Sequence, residues 1–94
     1  VYRGWYPLQK GTLSQKEGID MGPDLAHGPG RIRGDDPLAE ETPLPPERIV
    51  PGWRDMAAAY YRAMEETGAA VMRSLARGLG LPETVFDPAF ENGV

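Results

Sequence analysis

The distribution of proline and glycine divides this 94-residue chain into two unlike parts. Residues 1–52 contain 8 Gly and 8 Pro, whereas residues 53–94 contain 4 Gly and 2 Pro. Proline removes a helical hydrogen bond and glycine weakens regular elements, so the first part cannot be a continuous helix. The sequence therefore predicts an extended, loop-rich segment over 1–51, followed by mainly helical structure.

The extended segment contains one candidate strand. Near residues 16–22, the side chains of Glu17, Ile19 and Met21 fall on one side of a period-two pattern, which is typical of a short edge strand. The remainder, residues 23–51, is rich in turn-forming residues and is predicted to be a loop. A loop of this length is unusual inside a compact domain, so we expect it to lie across a larger body.

A long amphipathic helix is predicted over 52–80. Apolar residues recur there every three or four positions, which places them on one helical face. Pro51 precedes this helix, and Gly80 followed by Pro82 is typical of a helix end. A second short helix and an exit segment are predicted over 81–94. We call the following set the apolar stripe: Trp53, Met56, Tyr60, Met64, Gly68, Val71, Leu75 and Leu79.

Branched and aromatic apolar residues are too few here for a self-sufficient core. Leu, Ile, Val and Phe total 18 of 94 residues, just below the ~20% at which a globular chain becomes doubtful. The pair Tyr60–Tyr61 and the series Met56, Met64 and Met72 are predicted to pack as core residues. Because the first residue is also not methionine, we expect this chain to be a piece of a larger protein.

Composition excludes several functional classes. Ten basic residues stand against 14 acidic ones, a net charge of −4, which argues against a nucleic-acid module because such modules neutralise phosphates with basic patches. No apolar run approaches the ~20 residues that span a bilayer, so no membrane association is expected. The absence of cysteine excludes disulfides, thiolate zinc sites and iron–sulfur ligation within these 94 residues, and it favours the cytoplasm.

The sequence contains no recognisable catalytic set. His27 is the single histidine and is predicted to be a solvated loop residue, and the acidic pairs at 35–36 and 40–41 are predicted to be solvated. No nucleophile stands beside a base, and no metal-ligand spacing occurs, so we predict neither catalytic nor metal-binding residues. Glu17 is the acid of most interest, because it shares a strand side with Ile19 and would meet a polar or cationic group if that side faced a cavity.

Four ordered blocks resemble one known family. Residues 3–8 (RGWYPL) resemble the R-G-Y-[FY]-P-L stretch of isopenicillin N synthase-like proteins, the non-haem iron(II)- and 2-oxoglutarate-dependent oxygenases and their oxidase relatives. Residues 16–23 (KEGIDMGP) are similar to their K-E-G-F-D-I-G-P segment. Residues 52–64 look like G-F-R…Y-Y-x-A-M in their long helix, and residues 78–90 look like the G-L-G-L-P-E…F-D-P-x-F that follows.

The resemblance implies an architecture and a chemistry for a parent protein. The fold would be a mainly α N-terminal part with an extended lead-in and one short edge strand, bracing a double-stranded β-helix (jelly-roll) barrel beyond this chain. The parent would be an oxidoreductase that binds Fe(II) through two histidines and one carboxylate, with 2-oxoglutarate as co-substrate. Those ligands would follow Val94, so this chain alone would not be catalytic. Its partners would be that barrel and a small-molecule substrate.

The same resemblance implies three residues that line the substrate entrance. By motif these are Tyr6, Glu17 and Ile19. Tyr6 would donate a hydrogen bond to a substrate carboxylate, and Glu17 would accept one from an amine or a guanidinium group. Ile19 would supply an apolar wall.

Two other hypotheses about the function remain open besides the N-terminal part of an oxygenase. An amphipathic helix with a proline-rich arm is also typical of a stand-alone interaction module that docks its helix into a partner's groove. The third hypothesis is a small independent enzyme, but no nucleophile–base pair and no set of metal ligands in the sequence supports it.

Overall fold

A computed structural model describes residues 3–11 and 16–91. Predictions that fall on residues 1–2, on 12–15, or on the end of the 81–94 segment after Glu91 lie outside the described residues. The elements in chain order are β1 (Gly4–Tyr6), β2 (Gly18–Asp20), α1 (Asp24–His27), 3₁₀ turns at Pro29–Arg31 and Pro37–Ala39, α2 (Trp53–Gly78) and α3 (Asp87–Phe90).

β1 and β2 form a two-stranded antiparallel ribbon. The sequence predicts a strand only near 16–22, and the observed β2 is a three-residue part of that segment. β1 is too short to show a period of its own, and Pro7 ends it at once, so only its pairing with β2 makes it a strand. The paired residues are Gly4 with Asp20, Trp5 with Ile19, and Tyr6 with Gly18.

Short helical turns interrupt the loop predicted over 23–51. Pro29 and Pro37 each start a 3₁₀ turn, because proline fixes the backbone angle φ near its helical value and has no N–H that needs an acceptor. The Asp36 carboxylate then accepts a hydrogen bond from the Leu38 amide at 2.9 Å. The prolines that exclude a long helix here therefore initiate single turns.

The long helix α2 ends as its sequence predicts. Gly80 adopts a left-handed φ of 71°, which glycine tolerates without a Cβ clash. The Leu81 amide donates to the Ala76 carbonyl at 2.9 Å, and the Gly80 amide donates to the Arg77 carbonyl at 3.1 Å. This pair of bonds is the Schellman arrangement, which satisfies carbonyls that the helix leaves without partners. Among the helices in the described ranges, none has the length and apolar content needed to cross a bilayer.

The buried core is small. Within residues 3–11 and 16–91, the buried apolar residues are one leucine and four alanines. The Cα radius of gyration is 16.3 Å, whereas a compact domain of this length would have about 12 Å. The architecture is therefore a long helix with a thin layer of short elements against part of it. The buried apolar residues are Leu25, Ala39, Ala57, Ala58 and Ala76.

Gly4 lets the Pro43 ring approach the backbone of the ribbon, and its replacement by alanine is expected to destabilise the fold. Its φ is 105°, and a Cβ there would lie 2.6 Å from Cγ of Pro43. Backbone strain and overpacking each cost about 1–3 kcal/mol, so we expect Gly4→Ala to lower the free energy of unfolding by about 2 kcal/mol or more. Urea unfolding of the full-length protein measures this loss.

Gly34→Ala is the matched control for Gly4→Ala. A Cβ at Gly34 would meet no other atom within 4 Å, and its φ is outside the left-handed region. We expect the free energy of unfolding of that variant to lie within about 0.5 kcal/mol of the parent value. Equal stabilities for the two variants would show that the contact with Pro43 does not constrain the ribbon.

Candidate functional site

An open groove lies beside the β1–β2 ribbon and is the first candidate site. Gly18 pairs with Tyr6 across the ribbon, and a Cβ at Gly18 would meet no other atom within 4 Å, so the ribbon leaves open space beside the phenol ring. The groove brings together Tyr6 and Glu17, two of the three residues predicted by motif. Its volume is about 380 Å³ and its lining is Tyr6, Pro7, Gln9, Lys16, Glu17, Gly18 and Asp20.

Ile19, the third predicted residue, is not in the lining of this groove. Neighbouring residues of a strand point to opposite faces, so Ile19 shares a face with its pairing partner Trp5 rather than with Tyr6. The Trp5 side chain is 66% exposed. The predicted common side of Glu17 and Ile19 is not observed, because Glu17 precedes β2 and lines the groove whereas Ile19 does not. The role of Ile19 as an apolar wall stays a prediction.

The Tyr6 hydroxyl donates a hydrogen bond to the Asp20 carboxylate. Desolvation of the phenol raises the pKa of Tyr6 above its ordinary value, and the negative charge of Asp20, this hydrogen bond and the charge of Glu40 raise it further. Tyr6 is therefore neutral at physiological pH. Sequence reasoning did not single out Asp20, although its two-residue spacing from Gly18 places it on the same face of β2 as the residue paired with Tyr6.

A buried ion pair fixes the start of β1 against α1. The Arg3 guanidinium lies 3.3 Å from the Asp24 carboxylate, and their side chains are only 7% and 5% exposed. The same guanidinium also donates to the backbone carbonyls of Leu38 and Glu40. In return, the Glu40 carboxylate accepts the Arg3 amide at 3.1 Å. Burial of a charge is costly unless it is paired and hydrogen-bonded, and here both conditions are met.

Thr42 completes this buried polar cluster, which we define as Arg3, Gly22, Asp24, Glu40 and Thr42. The Thr42 hydroxyl donates to the Asp24 carboxylate at 2.7 Å, and the Thr42 amide donates to it at 3.0 Å. The Gly22 amide donates to the Thr42 hydroxyl at 2.8 Å. The cluster holds together three segments distant in sequence. Sequence reasoning missed it because no local pattern marks a residue whose partners lie 18 to 37 positions away.

His27 is not the loop residue that the sequence predicts, because it is the last residue of α1. Its Nε2 atom lies 2.9 Å from each carboxylate oxygen of Glu65 on α2. The neighbouring Arg62 donates to the Ala26 carbonyl at 2.9 Å. Two α2 side chains therefore hold the end of α1. His27 is exposed, as predicted, but its helical position and its ion pair were missed, because the Glu65 partner is 38 residues away in the sequence.

The described residues do not fit an iron site. Within residues 3–11 and 16–91, no group of three or more histidine, cysteine, aspartate or glutamate side chains could hold a metal ion. His27 and Glu65 contact each other, and a facial triad needs one more ligand beside such a pair. Iron chemistry therefore cannot be assigned to this part of the chain.

The apolar stripe is largely exposed. Apart from Trp53 and Gly68, its members are between 51% and 69% exposed. α2 instead contacts the rest of the described chain through an adjacent face, where small alanines allow α1 to approach closely. On an ideal helix of roughly 100° per residue, the two faces lie about a quarter of a turn apart. The covered face contains Ala57, Ala58, Tyr61, Met72 and Ala76.

This exposure corrects one prediction. Met56, Tyr60 and Met64 are not core residues of the described chain, whereas Tyr61 and Met72 are half-buried. Burial of the Tyr61 ring raises its pKa above the ordinary value, and the Glu65 charge adds to that shift. The periodicity identified an apolar face correctly, but it could not show which part of the protein covers that face.

Two curated proteins are similar to this chain. Isopenicillin N synthase of Streptomyces clavuligerus is 32% identical over 89 residues, which are 95% of this chain and 27% of that enzyme. The similarity points to the isopenicillin N synthase family. A second isopenicillin N synthase, from Streptomyces griseus, is 29% identical over 84 residues, which are 89% of this chain and 26% of that enzyme.

The chain spans about a quarter of the length of the isopenicillin N synthases that it matches. No protein-family model matches it. No solved structure matches it either. The similarity agrees with the family resemblance of the four sequence blocks.

Proposed function

We propose that this chain is the N-terminal part of an iron(II)- and 2-oxoglutarate-dependent oxygenase or oxidase that acts on a small molecule. Its role is to support a jelly-roll barrel and to line the entrance for the substrate. The observation that carries this proposal is the similarity of 95% of the chain to about a quarter of an isopenicillin N synthase. In this proposal, the catalytic centre belongs to the other three quarters of the full-length protein.

The exposed apolar stripe supports the structural role. Six of its side chains lie at least half exposed along one side of α2. A continuous apolar surface of this kind marks an interface, because leaving it in water is unfavourable. In the proposal, the barrel of the same protein covers the stripe, and α2 braces the barrel from outside.

In this proposal, the barrel and this chain have different roles, which follow from the residues that are present. When bound, Fe(II) would supply the activation of oxygen, and its ligands would come from the barrel, because the described part of this chain has no metal-binding group. This chain would contribute the groove side chains of Tyr6 and Glu17, which can hold a polar group of the substrate. It would position the substrate and would not carry the oxidation.

The test measures oxygen uptake by the full-length protein that contains this sequence. We expect uptake with a panel of small amino acids and peptides to require Fe(II), and to stop when a chelator removes the metal. The dependence on 2-oxoglutarate separates an oxygenase from an oxidase that needs no co-substrate. A protein that takes up no oxygen, but retains a protein partner on the stripe, would instead be the helical interaction module.

Replacing the groove residues is expected to weaken catalysis without removing the metal. With the substrate found by oxygen uptake, Glu17→Ala and Tyr6→Phe should each lower kcat/KM about tenfold, since a hydrogen bond to a charged group contributes about 1.5–3 kcal/mol. Iron content should not change. Glu66→Ala, on the exposed polar face of α2, is the control and should keep the parent kcat/KM. Unchanged values in both groove variants would remove the lining role and leave the oxygenase assignment intact.

A further inference from the structure

We infer that His27 and Glu65 form a pH-sensitive clasp, which holds α1, and through it the β1–β2 ribbon, more firmly against α2 when the imidazole is protonated. The Nε2 atom of His27 lies 2.9 Å from both oxygens of the Glu65 carboxylate. The inference does not rest on the proposed function, because it concerns contacts within this chain alone. It gives the single histidine of the chain a role that the proposed function does not use.

α1 is a single helical turn that depends on the contacts at its two ends. It has four residues and no side-chain N-cap, and a helix of this length is unstable alone in water because nucleation is costly. Its first residue, Asp24, belongs to the buried polar cluster and pairs with Arg3 beside β1. Its last residue, His27, pairs with Glu65 of α2. α1 therefore connects the ribbon to the long helix, and the clasp is one of its polar attachments to α2.

The geometry of the clasp makes its strength depend on the charge of the imidazole. Both carboxylate oxygens are acceptors, so Nε2 must carry a hydrogen for the contact to be attractive. A neutral imidazole can supply this hydrogen, but the imidazolium adds a full positive charge opposite the carboxylate. Charge-assisted hydrogen bonds are about twice as strong as neutral ones. The clasp is therefore strongest below about pH 6.5, where histidine ordinarily titrates, and it weakens as the pH rises through that range.

The surroundings of the clasp supply a background of charge that does not change over this range. Guanidinium groups and carboxylates ordinarily keep their charges between about pH 5.5 and 8, and burial raises the pKa of Tyr61, so its phenol is neutral there. Because the chain has no cysteine and no second histidine, His27 is its only side chain that ordinarily changes charge in this interval. The titratable and charged groups around His27 are Asp24 with Arg3, Arg31 of the first 3₁₀ turn, Tyr61, Arg62 and Glu65 of α2, and Glu91 after α3.

The test is hydrogen exchange in the full-length protein at about pH 5.5 and about pH 8. The amides of Ala26, His27 and Gly28 donate to backbone carbonyls of the same turn, so their protection reports the opening of α1. After correction for the intrinsic pH dependence of exchange, their protection should be about two- to fivefold higher at the lower pH. The factor is modest because the two side chains of the clasp are 39% and 42% exposed, and solvent screens such pairs. The amide of Gly22, on the ribbon side of α1, should respond in the same direction.

Three variants isolate the charge of the clasp. His27→Gln keeps a hydrogen-bond donor and Glu65→Gln keeps an acceptor, but each removes one charge, so neither should gain protection at the lower pH. His27→Lys carries a positive charge at both pH values and should give the higher protection at both. Glu66→Gln is the matched control, because it removes a neighbouring exposed carboxylate of α2 and should keep the pH response of the parent.

Two results would overturn the inference. Equal protection of α1 at both pH values in the parent would show that the charge of His27 does not strengthen the contact. A pH response in Glu65→Gln as large as in the parent would show that another group causes it, and this variant still decides if His27→Gln fails to form α1. A response in α1 without one at Gly22 would reject the link to the ribbon. Oxygen uptake, or its absence, bears on the proposed function alone.

Discussion

Replacing Asp24 by asparagine is expected to lower the free energy of opening of the buried polar cluster by about 3–5 kcal/mol. This is the range measured when one partner of a buried ion pair is removed. The Arg3 guanidinium would remain buried beside a neutral group, since its side chain is only 7% exposed. The Asp24 carboxylate now accepts hydrogen bonds from Arg3 and from Thr42, and the asparagine NH₂ group would face one of these donors. A donor placed against a donor leaves both unsatisfied.

Hydrogen exchange in the full-length protein measures this loss locally. The amides of Gly22 and Thr42 both donate into the cluster, so their protection reports its opening. A loss of 3 kcal/mol or more corresponds to exchange that is faster by over a hundredfold, at about 1.4 kcal/mol per factor of ten.

Asp35→Asn is the control for the Asp24 variant. Asp35 is exposed and has no hydrogen bond or ion pair with another described residue. Its replacement should change the protection of Gly22 and Thr42 by less than a factor of about three. If Asp24→Asn behaves as this control does, the cluster does not hold β1 against α1, and another contact must position the ribbon.

The second large effect is expected at the apolar stripe. Leu75 is 51% exposed in this chain, so the described residues do not bury it. In the full-length protein, Leu75→Asp should cost about 3–5 kcal/mol, because a leucine would leave a covered interface and an unpaired carboxylate would enter it. Urea unfolding of the full-length parent and variant measures this cost.

Ala70→Asp separates this effect from a general effect on the helix. Ala70 is exposed and lies on the side of α2 away from the stripe. In the full-length protein, Ala70→Asp should therefore cost only about 0.5 kcal/mol, through its lower helix propensity. An effect of Leu75→Asp as small as that of Ala70→Asp would mean that no part of the larger protein covers the stripe.

Local patterns predicted the elements whose causes are local. The helix over 52–80 is observed as Trp53–Gly78, and Gly80 forms the predicted C-terminal cap. These succeed because apolar spacing and capping act within a few residues of one another. The strand near 16–22 was also found, but its partner β1 was not, since three residues carry no measurable period.

The candidate site was only partly predictable for the same physical reason. Motif resemblance selected Tyr6 and Glu17, and the structure places both at one groove. It could not show that Asp20 acts on Tyr6 and raises its pKa, because that contact depends on the register of two strands. The sequence likewise could not show the partner of His27, because α1 and α2 meet only in the folded chain.

The sequence by itself determined the extended first half, the amphipathic α2 and the resemblance to isopenicillin N synthases, since each depends on residue types and spacing along the chain. Only the tertiary structure decided which face of α2 is covered, how Arg3 and Asp24 are buried together, and which carboxylates act on the Tyr6 hydroxyl. Burial and hydrogen-bond direction depend on groups that are distant in sequence, and those groups meet only when the chain has folded.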